Sequence, residues 1–264
     1  MDYQYILIDV KDRIATVTIN RPEYSNAFAR ESYYEIADAM NTLGARDDVG
    51  VIVITGAGKH FSAGGDIKRF KMLVDTKTYL KAEDIEAVSA MPISIRNCPK
   101  PVIAMINGVA TGAGLSCALA CDFRIVEPSS KMIMAFVNMG LCGDNESIYT
   151  LTRLLGPDKA ELMMMTGDAY KGEQCVKIGL ATVLAEDGKL AETTYALAAK
   201  LASKSSTAHA GQKRLIRKYF YGGMENFAKD EGIEMAAASR QPDFTEAVNA
   251  FIEKRMPAYN LPHK

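Results

Sequence analysis

Two segments of this 264-residue chain follow one design, and together they restrict its fold more than any other feature. "VIVITGAGKHFSAGGDI", Val51 to Ile67, and "PVIAMINGVATGAGLSCAL", Pro101 to Leu119, each pass from an unbroken apolar stretch through a Gly/Ala-rich turn toward a helix. Apolar runs this short and continuous suit strands buried on both faces, as where helices cover both sides of a largely parallel sheet. The expectation is a layered α/β domain. Adjacent glycines such as Gly64 and Gly65 are costly to order, so they mark a sharp bend or a close approach to bare backbone. At a helix start the backbone N–H groups lack intrahelical partners, and small residues there let an oxygen come within bonding range. Two such donors aimed at one point would stabilise negative charge developing on a carbonyl oxygen, each contributing roughly 10²–10³ in rate. Taken singly, either turn also fits tight helix–strand packing. Neither carries the Gly-Lys-Ser/Thr of a phosphate loop.

The rest of the chain reads as strand-rich early and helix-rich late. Tyr5–Asp9 and Arg13–Ile19 pattern as strands with a turn at "VKD", Val10 to Asp12. From Ala29 the spacing of Tyr33, Ile36, Met40 and Leu43 predicts one face of a helix. Gly50–Thr55 and Lys100–Gly108 are buried strands, "FRIVE" is another, and Ala110–Asp122 is a glycine turn entering a small-residue helix. The charged stretch Asp66–Met91 reads as helix with a mobile segment that includes "VDTKTY". Beyond Gly156 the apolar spacing is largely helical, with Met163, Met164 and Met165 read as packing. The chain shows no linker, repeat or low-complexity tract. We place a core over residues 1–195 and a C-terminal helical region over 196–264, which docks onto the core or onto a partner subunit.

Composition excludes several classes of function. A net charge of −1 gives no basic face for nucleic acid or an anionic membrane. No apolar run approaches the ~18 residues that a spanning helix needs. Five cysteines without a CxxC pair, and histidines scattered at 60, 209 and 263, argue for reduced thiols and against a metal site. With an N-terminus, "MDYQYILIDVKDR", unlike a secretory signal, these features point to a cytoplasmic protein.

The ordered series "NRPEYSNAF", "ITGAGKHFSAGGDI", "CPKPVIAMINGVATGAGLSCALACDFRI", "GLCGDNESIYTLTRLLG", "TGDAYKGEQCVKIGLATVL" and "FIEKRMPAY" resembles the enoyl-CoA hydratase/isomerase (crotonase) superfamily across essentially the whole chain. The resemblance implies a crotonase-like α/β spiral of ββα units with a helical C-terminal trimerisation region. It also implies a homotrimer or dimer of trimers, and an acyl-CoA thioester as ligand, with no separate cofactor because coenzyme A enters as part of the substrate. Carried over by position, the N–H groups of Gly65 and Ala113 form the oxyanion hole. Ala63, Gly64, Gly65, Asp66 and Ile67 line the coenzyme A path, with Asn26 and Ala27 nearby, and Lys254 reaches a coenzyme A phosphate.

The chain departs from typical hydratases of that family, which set two glutamates over the double bond. The matching positions hold Ser116 and Phe136. In "GLCGDNESIY", Asp144 sits where some Δ3,Δ2-enoyl-CoA isomerases resemble this chain but carry a glutamate, and where an aryl-CoA dehalogenase branch carries a nucleophilic aspartate. Phe136 matches an aromatic residue of that branch, but Ser89 stands where the branch has a water-activating histidine. An isomerase requires one carboxylate to move a proton from Cα to Cγ, worth on the order of 10²–10⁴, with its pKa raised by an apolar pocket such as Phe136, Met139 and Leu141 would supply. Asp144 is the first candidate for that base and Glu146 the second. A water-using hydratase, hydrolase or dehalogenase is the alternative, and a non-catalytic acyl-CoA-binding protein is the alternative of another class.

Overall fold

In the computed structural model, which describes residues 3–259, every residue of the strand Val51–Gly56 is buried. His263 and the last residues of the C-terminal region lie outside the described residues. Side chains alternate across a strand, and here both alternating sets meet apolar partners. Val51 and Val53 pack on one side of the sheet with Ile103, Ile125, Ala198 and Ala202. Ile52 and Ile54 face the main core with Ile36, Met40, Ile95 and Leu115. This two-sided burial explains the unbroken apolar run.

The strands are β1 (Ile6–Lys11), β2 (Ile14–Ile19), β3 (Val51–Gly56), β4 (Val102–Met105), β5 (Val109–Thr111), β6 (Phe123–Val126), β7 (Lys131–Ile133), β8 (Ala169–Lys171) and β9 (Val183–Leu184). The helices are α1 (Arg30–Ala45), α2 (Ile67–Thr76), α3 (Ala82–Val88), α4 (Ala90–Asn97), α5 (Ala113–Ala120), α6 (Ser147–Leu155), α7 (Pro157–Thr166), α8 (Gly172–Ile178), α9 (Leu190–Ala202), α10 (Ser206–Tyr219), α11 (Met224–Ala238) and α12 (Pro242–Glu253). One six-stranded sheet runs β1-β2-β3-β4-β6-β9, parallel except for the β1–β2 hairpin. A second sheet, β5-β7-β8, lies beside it. Successive turns of the chain contribute one strand to each sheet and then a helix, as in β4-β5-α5 and β6-β7-α6. A parallel bridge from Ser62 to Ala110 gives the preceding turn the same form. This is the ββα spiral.

Several local expectations shift. The hairpin turn lies at Asp12–Arg13 and not at Val10–Asp12, because Asp12 (φ 51°) and Arg13 (φ 64°) both take the left-handed conformation that matches the twist of a tight hairpin. The stretch Asp66–Met91 is divided among α2, α3 and the start of α4. "VDTKTY" forms the end of α2 and its cap, where left-handed Lys77 returns its N–H to the Leu73 and Val74 carbonyls. Strands β8 and β9 interrupt the run read as helical; with three and two residues they are too short to show a period. Residue 195 lies within α9, which packs against β2, β3, β4 and β6, so the chain does not divide at that point.

The two glycine turns pack backbone to backbone. Thr111 donates its N–H to the Ser62 carbonyl at 3.1 Å, and Ser62 donates to the Val109 carbonyl at 3.0 Å. A Cβ on Gly64 (φ 86°) would lie 2.7 Å from the Thr111 carbonyl oxygen, and one on Gly114 would lie 2.6 Å from that of Ser62. Gly64→Ala is expected to destabilise the protein by about 2–4 kcal/mol, combining left-handed strain with overpacking. Gly179→Ala, at a similar φ of 89° with nothing within 4 Å, should cost only the strain. Urea denaturation of the two variants measures the difference; equal midpoints would mean the turns are not in close contact.

Candidate active site

The first residue of α5, Ala113, follows Gly112, whose φ of 52° turns the chain sharply into the helix. The Gly112 N–H is occupied by the Ile133 carbonyl at 3.1 Å. On the facing turn, Phe28 donates its N–H to the Gly64 carbonyl at 2.7 Å. Among the described residues, neither the Gly65 N–H nor the Ala113 N–H donates to a backbone carbonyl. The Ala113 nitrogen lies only 3.3 Å from the point a Gly64 Cβ would occupy, so the turns bring these donors into one neighbourhood. Both residues line a cavity of about 450 Å³.

Hydrogen bonds from outside the cavity hold this backbone. Asn26 is fully buried; its Oδ1 accepts the Arg21 N–H at 2.9 Å, and its Nδ2 donates to the Ala57 and His60 carbonyls at 2.8 and 2.6 Å. Ser62 Oγ donates to the Asn26 carbonyl at 2.8 Å and accepts the Gly64 N–H at 3.2 Å. Asn26 therefore braces the loop, and Ala27 serves as an acceptor for the Arg21 guanidinium. Arg21 also pairs with Asp66 Oδ2 at 3.1 Å, while Asp66 Oδ1 caps α2 by accepting the Lys68 N–H at 2.9 Å.

Asp144, 8% exposed, also lines the cavity. Its Oδ1 accepts from Asn145 Nδ2 at 2.7 Å, and no donor among the described residues reaches Oδ2. Burial raises its pKa from the usual carboxylate range to about 6, against the opposing effects of the Asn145 amide and the Arg69 charge. Ser116 lies one helical turn beyond Ala113. Its Oγ is 3.2 Å from the Gly112 carbonyl and equally far from the Asp144 carbonyl, so it grips the backbone of the acidic residue. Phe136 is 7% exposed and contributes to the apolar wall with Leu141 and Met139.

Of the residues singled out in the sequence, Ala63, Gly65, Asp66, Ile67, Ala113, Phe136 and Asp144 come together on this cavity. Asn26, Ala27, Gly64, Glu146 and Lys254 are not among its lining residues. Glu146 is completely buried, and neither carboxyl oxygen has a hydrogen-bond partner among the described residues. Burial first, and then the neighbouring Glu231 and Asp144, push its pKa up to about 9, which favours the neutral side chain. Lys254 is an exposed left-handed cap at the end of α12, while its neighbour Arg255 lines the cavity.

Tyr33 and Arg69 also line the cavity, and sequence reasoning missed both as functional groups. Tyr33 sits on the apolar face of α1, where its hydroxyl gives no separate signal. Burial and the Asp144 charge keep that phenol protonated. Arg69 stands among charged neighbours in "DIKRF", and only the orientation of α2 distinguishes it from Lys68.

Comparison with known proteins identifies the family. The family model described as enoyl-CoA hydratase/isomerase matches residues 9–261. A trans-2-decenoyl-[acyl-carrier-protein] isomerase of Streptococcus mutans is 32% identical over 260 residues, covering 98% of this chain and 99% of that protein. A 1,2-epoxyphenylacetyl-CoA isomerase of Escherichia coli is 30% identical, covering 97% and 98%. The crystal structure of an enoyl-CoA hydratase from Mycobacterium avium subsp. paratuberculosis superposes with a TM-score of 0.88 at 26% identity, over 98% of this chain and 100% of that one. With its spiral fold, its paired glycine turns and this match over nearly its whole length, the chain belongs to the enoyl-CoA hydratase/isomerase family.

Proposed function

We propose that the protein is an enoyl-thioester isomerase that moves a double bond from the 3- to the 2-position with Asp144 as the single base. The observation that carries this reading is the cavity's supply of carboxylates. Among the described residues two acids line it, and Asp66 is engaged by Arg21 and by the start of α2. That leaves Asp144, with one oxygen unbonded and its pKa near the operating range of a general base.

The thioester carbonyl oxygen is held by the Gly65 and Ala113 N–H groups. Asp144 Oδ2 takes the Cα proton, and the electron pair delocalises over the dienolate while its negative oxygen remains in the hole. The same carboxyl then delivers the proton to Cγ, which leaves a 2-enoyl product and regenerates the carboxylate. No water enters. Hydration needs a second carboxyl over the double bond, and the nearest candidate in sequence, Glu146, is buried outside the cavity, where burial favours its neutral form. Similarity to a protein named for an acyl-carrier-protein substrate supports testing that carrier beside coenzyme A. A homotrimer or dimer of trimers is the assembly we propose. It is supported by the exposed apolar residues Leu215, Ile216, Tyr219 and Phe220 in and just beyond α10, and light scattering of the purified protein would show a monomer if it is wrong.

Mass spectrometry of 3-enoyl thioesters on either carrier, incubated with the enzyme, should give the 2-enoyl isomer without gain of water. A hydrated product would overturn the isomerase reading. Asp144→Asn should lower kcat by about 10²–10⁴ with KM changed less than about threefold, the loss expected for one general base. Because the base must be unprotonated to act, kcat/KM should rise about tenfold per pH unit below about 6 and level off above it. A flat profile from pH 4.5 to 8 would exclude Asp144 as the titrating base.

A further inference from the structure

The turn that presents Asp144 has a conformation that asparagine tolerates and glutamate does not favour. Asn145 (φ 55°) and Glu146 (φ 52°) are consecutive left-handed residues, and neither is glycine. Glu146 immediately precedes α6, where the first N–H groups of a helix need acceptors. Its own side chain makes no capping bond. The acceptor comes from 85 residues away: Glu146 donates its N–H to Oε2 of Glu231, on α11, at 2.7 Å. Glu231 is 4% exposed and its Oε1 has no partner among the described residues. Other contacts on this turn arise locally or from α5: Ser147 donates its N–H to the Asp144 carbonyl at 3.2 Å, and Ser116 reaches the same oxygen. Without Glu231, the Glu146 N–H would be a buried donor with nothing to bond.

We propose that Glu231 is a positioning residue, whose carboxyl holds the Asn145–Glu146 turn at the start of α6 so that Asp144 faces the cavity. The assignment rests on the reading of Asp144 as the base. Glu231 does not line the cavity. What the interaction requires is an acceptor oxygen at that point and not a negative charge. Burial and the Asp144 charge raise the Glu231 pKa, which favours the neutral carboxyl.

Two substitutions separate the acceptor from the charge. Glu231→Gln keeps a carbonyl oxygen in place, and kcat should stay within about twofold. Glu231→Met fills similar volume without an acceptor; kcat should fall by about 30-fold or more while KM stays within about twofold, since small misplacements of a reacting group carry penalties of this size. If Glu231 works only through Asp144, then Asp144→Asn combined with Glu231→Met should be no slower than Asp144→Asn alone. Wild-type kcat in Glu231→Met overturns the proposal, as does a further loss in the double variant. Wild-type kcat in Asp144→Asn removes the base itself, and with it any role for Glu231 through that base. Should Glu231→Met fail to fold, Glu231→Asp shortens the reach by one methylene. A kcat reduced at least about tenfold at near-native Tm supports the proposal, and an unchanged kcat overturns it.

Discussion

The site depends on the contact between two backbones at the facing glycine turns. Ordinary side chains at 64 and 114 would meet carbonyl oxygens at distances that real Cβ atoms do not tolerate, so the turns approach only because those positions are bare. Their closeness does more than pack a core. It brings two N–H groups with no backbone acceptor among the described residues to one wall of a cavity. Such donors are oriented before a substrate arrives, and a preorganised dipole needs no rearrangement when charge develops on the thioester oxygen. Asn26 and Ser62 hold the geometry from behind, with hydrogen bonds to the carbonyls of Ala57, His60 and Asn26 itself.

The proposed hole and the proposed base are joined through one turn of helix. Helix α5 begins at Ala113, and one turn later Ser116 reaches the carbonyl of Asp144. All eight residues of α5 are buried, so its position is fixed by packing on every side. An Asp144 backbone held this way cannot drift from Ala113 without disturbing the core. The electrostatic arrangement follows the same economy. Asp144 is buried enough to bind a proton more tightly than an ordinary aspartate, yet the Asn145 amide and the Arg69 charge keep its pKa near 6. A carboxylate with that affinity can accept a proton and also release it, as a shuttle must. Glu146 illustrates the other extreme. Fully enclosed, with its oxygens unbonded, it favours the neutral form and is a poor base at neutral pH.

Much of this was legible in the sequence where local pattern and burial coincide. The run Val51–Thr55 announced a strand covered on both faces, and the small residues after Gly112 announced a tightly packed helix. Asp144, Phe136 and the Ala63–Ile67 loop were identified by their positions in ordered motifs. The structure adds what periodicity cannot carry. Strands β5, β7, β8 and β9 are two or three residues long and exist through pairing with distant partners. Asn26 reads in sequence as a residue beside the ligand path, but its buried amide is consumed by the backbone around it. Asp144 and Glu146, two residues apart, look like rivals for one role. Their separation into a cavity wall and a closed interior arises from the left-handed pair Asn145–Glu146 and from an acceptor on α11. Neither has a signature in the local sequence.

The two family positions at which this chain lacks glutamates show how a fold can change its chemistry while keeping its charge stabilisation. By the resemblance to the family, serine at 116 stands where typical hydratases have one of their two acids. The short hydroxyl then turns back to the Gly112 and Asp144 carbonyls, where a longer acid would extend past them. Phenylalanine at 136 removes the second acid and adds apolar surface to the cavity wall, which raises the cost of ionising any acid that remains. The first change bears on Asp144 directly, through the Ser116 hydroxyl on its carbonyl, and the second leaves an apolar side chain on the cavity that Asp144 also lines. Water addition requires a nucleophile to be positioned and deprotonated beside the double bond, whereas proton relocation requires one group of intermediate basicity and a stabilised dienolate. On the proposed reading, the same losses that weaken the first reaction supply the conditions for the second.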